Sequence, residues 1–283
     1  WLARVDDAAF ARALRERVEL TFAATNPRLW APEEAVSLAI DVKNVDSLLV
    51  RVFAIDTVAY HREQTGELQP GIELGGLVAN ASWDLAFEQS PLERHRQRID
   101  LPQAVGRGAW VVELIGNGRA TRALIRKGDL VADEEITAQG HRFTIRDESG
   151  RRRPEAQLWL AGRLFDADDE GRVLVPFSSE PGSRRAVLQL DGFARPLQWQ
   201  HQGEAITLDV ALVADHESLI PGEEADLLIQ PRLRISGRAV SLDRLQDVRL
   251  TISGVDAEGV TRESVLADPA FEDDRRAGSL AGG

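Results

Sequence analysis

The amino-acid sequence predicts an all-β chain, built as several small two-layer β-sandwiches in tandem behind a short N-terminal helix. Three observations carry this expectation. Apolar and polar residues alternate over short runs rich in valine, isoleucine and phenylalanine. Turn-forming residues separate those runs at intervals of roughly 8–12 residues, the spacing of sandwich folds. The strand–helix–strand alternation of a nucleotide-binding sheet is missing.

Taken in order, Asp6 to Arg17 reads as the helix. Phe10, Ala13, Leu14 and Arg17 fall at helical spacing, and Asp6-Asp7 put negative charge where a helix N-terminus favours it. Residues 1–17 are therefore expected to be the tail of a preceding segment. The strands Val18–Ala24, Val36–Lys43, Leu48–Ile55, His95–Asp100, Ala109–Ile115 and Ala120–Arg126 follow. Gly116-Asn117-Gly118-Arg119 joins the last two, and Asn-Gly accepts the positive φ angles of a type I′ turn, so a hairpin is predicted over Ala109–Arg126. A second cluster comprises Thr137–Asp147, Ala156–Phe165, Arg172–Phe177, Ala186–Asp191 and Ala194–Gln200. The third comprises Ala205–Asp215, Ala225–Pro231, Arg238–Leu242 and Arg249–Val255. The expected partition is a first sandwich at 18–127, a smaller one at 128–203 and a third at 204–283. Asp268–Gly283 is too acidic and glycine-rich to finish a sandwich, so the third is expected to lack strands and leave an unpaired edge.

Repeats support this partition. Asp147-Glu148-Ser149-Gly150, Asp168-Asp169-Glu170-Gly171 and Asp256-Ala257-Glu258-Gly259 share one pattern, an Asp opening a type I turn and a Gly in the left-handed position after it. Over a longer span, Val18–Thr57 and Ile206–Gly259 each run strand, proline–acid turn, strand, and then a strand ending in Asp.

Composition excludes whole classes of function. The chain has 283 residues, 43% of them hydrophobic, enough for two or three globular domains. Its 34 basic and 46 acidic residues give a net charge of −12, which argues against a partner with a phosphate backbone or an anionic membrane surface. No apolar run approaches the ~20 residues of a membrane-spanning helix. The absence of cysteine removes disulfides, thiolate metal sites and cysteine nucleophiles. The chain starts at Trp1 and has no methionine, so it is expected to be an internal piece of a longer protein. Its use of arginine over lysine, with only Lys43 and Lys127, suggests a GC-rich, bacterial genome.

Chemistry-bearing motifs are few. Asp166, Asp168 and Glu170 before Gly171 match the first half of a calcium loop, but the twelfth position is Phe177 and the flanks are strands, so an acidic hairpin turn is the preferred reading. His61, His95, His141, His201 and His216 are scattered without metal-ligand spacing. No catalytic residue, cofactor or metal is assigned, and the chain is expected not to be an enzyme. Arg151-Arg152-Arg153 reads as a solvated strand entry, with a docking patch for an acidic partner as the alternative. Trp110 and Trp159 are expected to anchor cores. Trp30, before Pro32, and Trp83, within the irregular stretch Gly71–Pro91, are the partner-binding candidates if exposed.

These residues carry a resemblance. Thr25-Asn26-Pro27-Arg28-Leu29-Trp30-Ala31-Pro32, Asp41-Val42-Lys43-Asn44-Val45 and Val50–Thr57 resemble macroglobulin-type domains, as do Gly106–Gly118, Ala123–Gly128 and Leu158–Arg163. Ile220-Pro221-Gly222-Glu223 is similar to the start of a macroglobulin domain in the α2-macroglobulin superfamily, with Leu219-Ile220 in place of the family's aromatic. The resemblance implies tandem immunoglobulin-like/macroglobulin-like β-sandwiches in a large bacterial envelope protein, periplasmic or extracellular. There they would be a non-catalytic scaffold for protease capture or partner binding. The family's thioester needs a cysteine, which this chain lacks. Implied partners are a protein or protease and further domains of the same chain. The alternative reading is an immunoglobulin-like repeat segment of an adhesin or stalk, binding through loops such as Gly71–Pro91.

Overall fold

The computed structural model describes residues 8–215, 217, 220, 225–255, 259–267 and 276–280. Apart from short helical segments it is built of β-strands. Helix α1 (Ala8–Glu16) is closed at its C-terminus by Lys43, whose buried ammonium donates to the carbonyls of Leu14 (2.6 Å) and Arg17 (3.1 Å), groups a helix end leaves without intrahelical partners. Asp6-Asp7, expected in its first turn, lie outside the described residues.

The first pair of sheets uses β1 (Glu19–Phe22), β2 (Ser37–Lys43), β3 (Ser47–Ile55), β4 (Ala81–Ala86), β5 (Arg94–Asp100), β6 (Gly108–Gly116) and β7 (Arg119–Lys127), with helix α2 (Thr57–Glu63) after β3. Strand order is β1-β2-β5 in one sheet and β4-β3-β6-β7 in the other, all antiparallel. Alternation aims Leu38, Ile40 and Val42 of the first sheet and Val50, Val52, Trp110, Val112 and Leu114 of the second into one core. Each such side chain contributes about 1.5–3 kcal/mol on burial. The β6–β7 turn is as predicted, with φ of 42° at Asn117 and 72° at Gly118.

The second sheet is buried on both faces. Phe53 and Val111 point away from the core just described, and Ile72 and Leu74 lie over them. Part of Gly71–Pro91, expected as an irregular connection, is therefore an apolar strap and part is strand β4. Between the strap and the sheet, Glu113 is buried with Arg51 and Arg122. Burial raises its carboxyl, but hydrogen bonds from Arg122 and Arg51 outweigh this and hold it below the ordinary carboxylate range.

The second pair of sheets uses β8 (Leu130–Thr137), β9 (Gly140–Asp147), β10 (Gln157–Leu160), β11 (Arg163–Asp166), β12 (Arg172–Val175), β13 (Gly182–Leu190) and β14 (Phe193–His201), ordered β12-β9-β8 and β11-β10-β13-β14. Its buried residues include Phe143, Ile145 and Val173 from the first sheet and Leu158, Leu188 and Leu190 from the second. The Phe143 ring meets Trp199 edge-on at 4.8 Å. Two Asp turns hold their predicted form: Gly150 N–H donates to Asp147 C=O (2.9 Å) and Gly171 N–H to Asp168 C=O (2.8 Å), with both glycines at positive φ. Of the third turn, Asp256 to Glu258 lie outside the described residues.

The remaining strands are β15 (Ile206–Ala214), β16 (Ala225–Ile235), β17 (Arg238–Ala239), β18 (Arg249–Val255), β19 (Thr261–Ala267) and β20 (Arg276–Leu280). One sheet runs β15-β16-β17 with β20 also on β16, and β18-β19 form a hairpin. Much of the proline–acid turn matched to a macroglobulin start, Leu219 and Pro221 to Glu224, lies outside the described residues.

The chain forms two compact units: Trp1–Glu134 with Phe143–Leu174 and Ser183–Gln200, and Glu135–Arg142 with Val175–Gly182 and His201–Gly283.

Trp30 tests the first core. It is 3% exposed, its N–H donates to Arg126 C=O (2.9 Å), and its carbonyl accepts from Gly128 N–H (2.9 Å). Trp30→Ala is expected to cost about 3–5 kcal/mol, read as a lowered urea midpoint, because the cavity sits between two sheets that share that core.

Candidate functional site

The predicted site residues do not converge. Trp30 is buried in the first core and presents no surface to a partner. Trp83 is half-buried on edge strand β4, packed against the same core. Trp110 is a core residue as expected. Trp159 is not: Leu158 and Leu160 take the inward positions of β10, leaving Trp159 on the outer face under the guanidinium of Arg62, 5.7 Å from the ring centroid. In the acidic turn, Asp168 accepts from the N–H groups of Glu170 and Arg172 and from the Arg172 side chain. Glu170 pairs with Arg172 at 2.9 Å, and Asp166 accepts from Gln157. Each of the three carboxylates thus holds the hairpin together. Among the described residues no three His, Asp or Glu side chains are arranged to hold a metal. His216 lies outside those residues.

What the first unit does gather is a junction between its two pairs of sheets, built around α2. Asp56 caps this helix, its carboxylate accepting from Ala59 N–H at 2.9 Å. The capped helix places Thr57, His61 and Arg62 on the outer face of β13 and the β13–β14 turn. Thr57 Oγ1 accepts from the buried Ala194 N–H at 2.8 Å, and Arg62 donates to Gln189 at 2.9 Å. This cover explains why Val187 and Gln189, on the outer face of β13, are as buried as its inner face.

His61 is 2% exposed. Burial pushes its imidazole down to about 4, and the Arg185 guanidinium adds to the effect. Arg185 lies 3.3 Å from His61 Nδ1. A guanidinium only donates, so Nδ1 accepts and the ring is neutral with its proton on Nε2.

A second contact region closes the other side. Arg107 holds Glu148 at 2.6 Å and Asp147 at 3.5 Å, while Arg153 holds Asp147 at 3.1 Å. Burial would raise the Asp147 carboxyl, but the Ser149 hydroxyl, Arg153 and the N–H groups of Ser149 and Arg151 hold it at about 2. Arg153 bonds Asp147 within this turn and Arg151 reaches Ser149, while Arg151 and Arg152 stay exposed. A cavity of about 360 Å3 lies here, lined by Ala31, Pro32 and Glu33 on one side and Arg107, Asp147, Glu148, Ser149, Arg151 and Arg153 on the other. Between the pairs of sheets the chain has only Gly128 and Asp129. Gly128 has φ +77°, and a Cβ there would lie 2.7 Å from Arg107 Cγ. Arg195 adds ion pairs with Asp129 (2.8 Å) and Glu67 (3.3 Å).

Sequence reasoning missed this junction. Its signal was Asp56-Thr57, a capping pair directly after a strand, followed by a helix too short to show periodicity. The side chains of this junction cap α2, pair across it and pack it.

Paired antiparallel sheets, short Asp turns and a side-chain junction define the class of the protein: an all-β tandem of immunoglobulin-like β-sandwiches with a short N-terminal helix. Family models agree. That of the AbpF first immunoglobulin-like domain matches residues 48–128, and that of the AbpF third immunoglobulin-like domain matches residues 215–278. Actin-binding protein F of Dictyostelium discoideum is 30% identical over 265 residues, 90% of this chain, but the chain spans only 11% of that protein's length. Among solved structures, the MG0-NIE-MG1 part of native α2-macroglobulin from Escherichia coli aligns at 13% identity over 64% of each chain with a TM-score of 0.41. The native E. coli α2-macroglobulin aligns at 13% identity over 93% of this chain and 18% of that one, with a TM-score of 0.39.

The family expectation is met in part. The structural neighbours include macroglobulin domains, whereas the family models and the curated relative point to immunoglobulin-like AbpF domains. The expected bacterial envelope location is overturned, because the curated relative is a Dictyostelium actin-binding protein. Among the described residues no helix is long and apolar enough to cross a membrane.

A histidine that is neutral when folded and titrates near 6.5 when unfolded leaves the unfolded state with more bound protons between these values. Its contribution is therefore complete above pH 6.5 and lost as pH falls toward about 4. Urea titrations over this window are expected to lose on the order of 2 kcal/mol, and His61→Leu to flatten the loss. Gly128→Ala is expected to cost at least about 1 kcal/mol from the left-handed backbone, with Arg107 displaced from Glu148. A higher crosspeak mobility of the Arg107 side chain in NMR relaxation would report that displacement.

Proposed function

We propose that this chain is a non-catalytic spacing and partner-binding segment of a large multidomain protein, and that its protein partner is actin. The observation that carries the reading is the 30% identity to actin-binding protein F, spread over 90% of the chain. The geometry supports it, since the polar clusters of the first unit serve caps, turns and a junction, the work of a scaffold. The domain partition proposed is 18–127, 128–203 and 204–283, which the matches to first and third immunoglobulin-like domains support. The setting proposed is a eukaryotic cytoplasm. Of the two tryptophans considered for partner contact, Trp83 remains the candidate because it lies on an edge strand with part of its ring open.

Co-sedimentation with filamentous actin tests this. The chain is expected to pellet with filaments and to saturate, and Trp83→Ser to weaken pelleting several-fold. A chain that stays in the supernatant at tens of micromolar in low salt overturns the partner.

A further inference from the structure

Among the described strands, β15 is an edge of its sheet. β16 pairs it on one side over nine residues, Ile206 to Ala214, and no described strand pairs it on the other. Ile206, Leu208, Val210 and Leu212 stand on one face and are 63%, 49%, 49% and 59% exposed. A long, flat, apolar edge is a template for another strand.

The backbone sets the phase of that template. Ser236 N–H donates to Ala205 C=O at 2.7 Å. Donors and acceptors of an antiparallel strand alternate sides, so the odd-numbered residues of β15 face β16 and the even-numbered ones turn their N–H and C=O groups to the open edge. Pro231 fits this phase. It lies opposite Val210, where its missing N–H would have pointed away from β15, into the gap between the β20 pairing at Ala225–Ile229 and the β17 pairing at Arg234–Ile235.

The segment is its own complement. Laid antiparallel on itself about a twofold axis at Val210, it sets Ile206 opposite Ala214, Leu208 opposite Leu212 and Val210 opposite itself. All of these are outward-bonding residues with apolar side chains on one face. Asp209, the only charged residue of the strand, then faces Ala211. Sliding the axis onto Asp209 would put two carboxylates directly opposite each other, an arrangement a ladder disfavours. The charge thus disfavours the neighbouring axis, and Val210, the midpoint of the nine-residue strand, is the axis that uses its whole length.

We propose that β15 pairs with β15 of a second copy of this chain, antiparallel about Val210, joining their sheets into one. This does not rest on the actin reading.

The absence of cysteine makes the test sharp. Across a hydrogen-bonded antiparallel pair the Cα atoms are about 5.5 Å apart, within disulfide reach. Mild oxidation of Val210→Cys is therefore expected to give a covalent dimer. Ile206→Cys is expected to form no disulfide, since the two thiols would lie eight residues apart along the ladder, about 27 Å. In sedimentation equilibrium without actin, the unmodified chain is expected to rise from 31.2 kDa toward twice that mass with concentration. Val210→Lys, which sets two ammonium groups on the axis, is expected to weaken dimerisation at least tenfold, and Val265→Lys, on the exposed face of β19, to leave it unchanged. A chain that is monomeric throughout and a Val210→Cys variant that does not cross-link would overturn the proposal and leave the edge to a different strand. Cross-linking of Ile206→Cys would overturn the register.

Discussion

The structure depends on covering strands that are apolar on both faces. A sheet with one wet face can end at a single sandwich, because alternation gives it a polar side. β3 and β6 cannot, since Phe53 and Val111 stand on the face opposite Val52 and Val112. β13 cannot either, since Val187 is as buried as its neighbours Ala186 and Leu188. The segment that leaves β3 answers both needs. Its helix α2 covers β13, and the strap after it covers β3 and β6. One stretch of chain thereby completes one pair of sheets and ties it to the next.

The buried carboxylates and the Thr57 hydroxyl at these interfaces are hydrogen-bonded, whereas Arg51 Nε and Gln189 Nε2 are buried without a partner. Glu113 is shared by two arginines, Asp147 accepts from a hydroxyl, a guanidinium and two backbone N–H groups, and Thr57 accepts from Ala194 N–H. Each bond spares a buried group the desolvation cost it would otherwise carry. Neutral His61 of α2 follows from burial too, because a charged ring beside Arg185 would face like charge away from solvent.

The strands of the first sandwich were legible because period-two alternation and turn chemistry act locally: β2, β3, β5, β6 and β7 lie within a residue or so of their expected bounds, and Asn117-Gly118 forms the predicted turn. What was not legible depends on neighbours distant in sequence. Trp159 stands in an apolar run and reads as core, yet register puts Leu158 and Leu160 inward and leaves it beneath Arg62. Ile72 and Leu74 sit in a glycine-rich stretch with no periodicity, and only the sheet beneath gives them a place. Trp30, before Pro32, reads as a turn residue whose exposure the sequence leaves open, but the chain there joins β7 through two backbone bonds. Asp268–Gly283 reads as too acidic and glycine-rich to supply a strand, yet Arg276–Leu280 forms β20 on β16, and among the described strands β15 is paired on one side.

The two-residue link at Gly128-Asp129 has a mechanical consequence. So short a tether cannot act as an elastic hinge, and it is clamped at its flanks by Arg107 on Glu148 and by Arg195 on Asp129. Tension carried along the chain would have to shear these ion pairs and peel α2 from β13 before the tether itself could lengthen. In the first unit, extension should therefore begin with a discrete rupture at the junction, and slack should appear only after it.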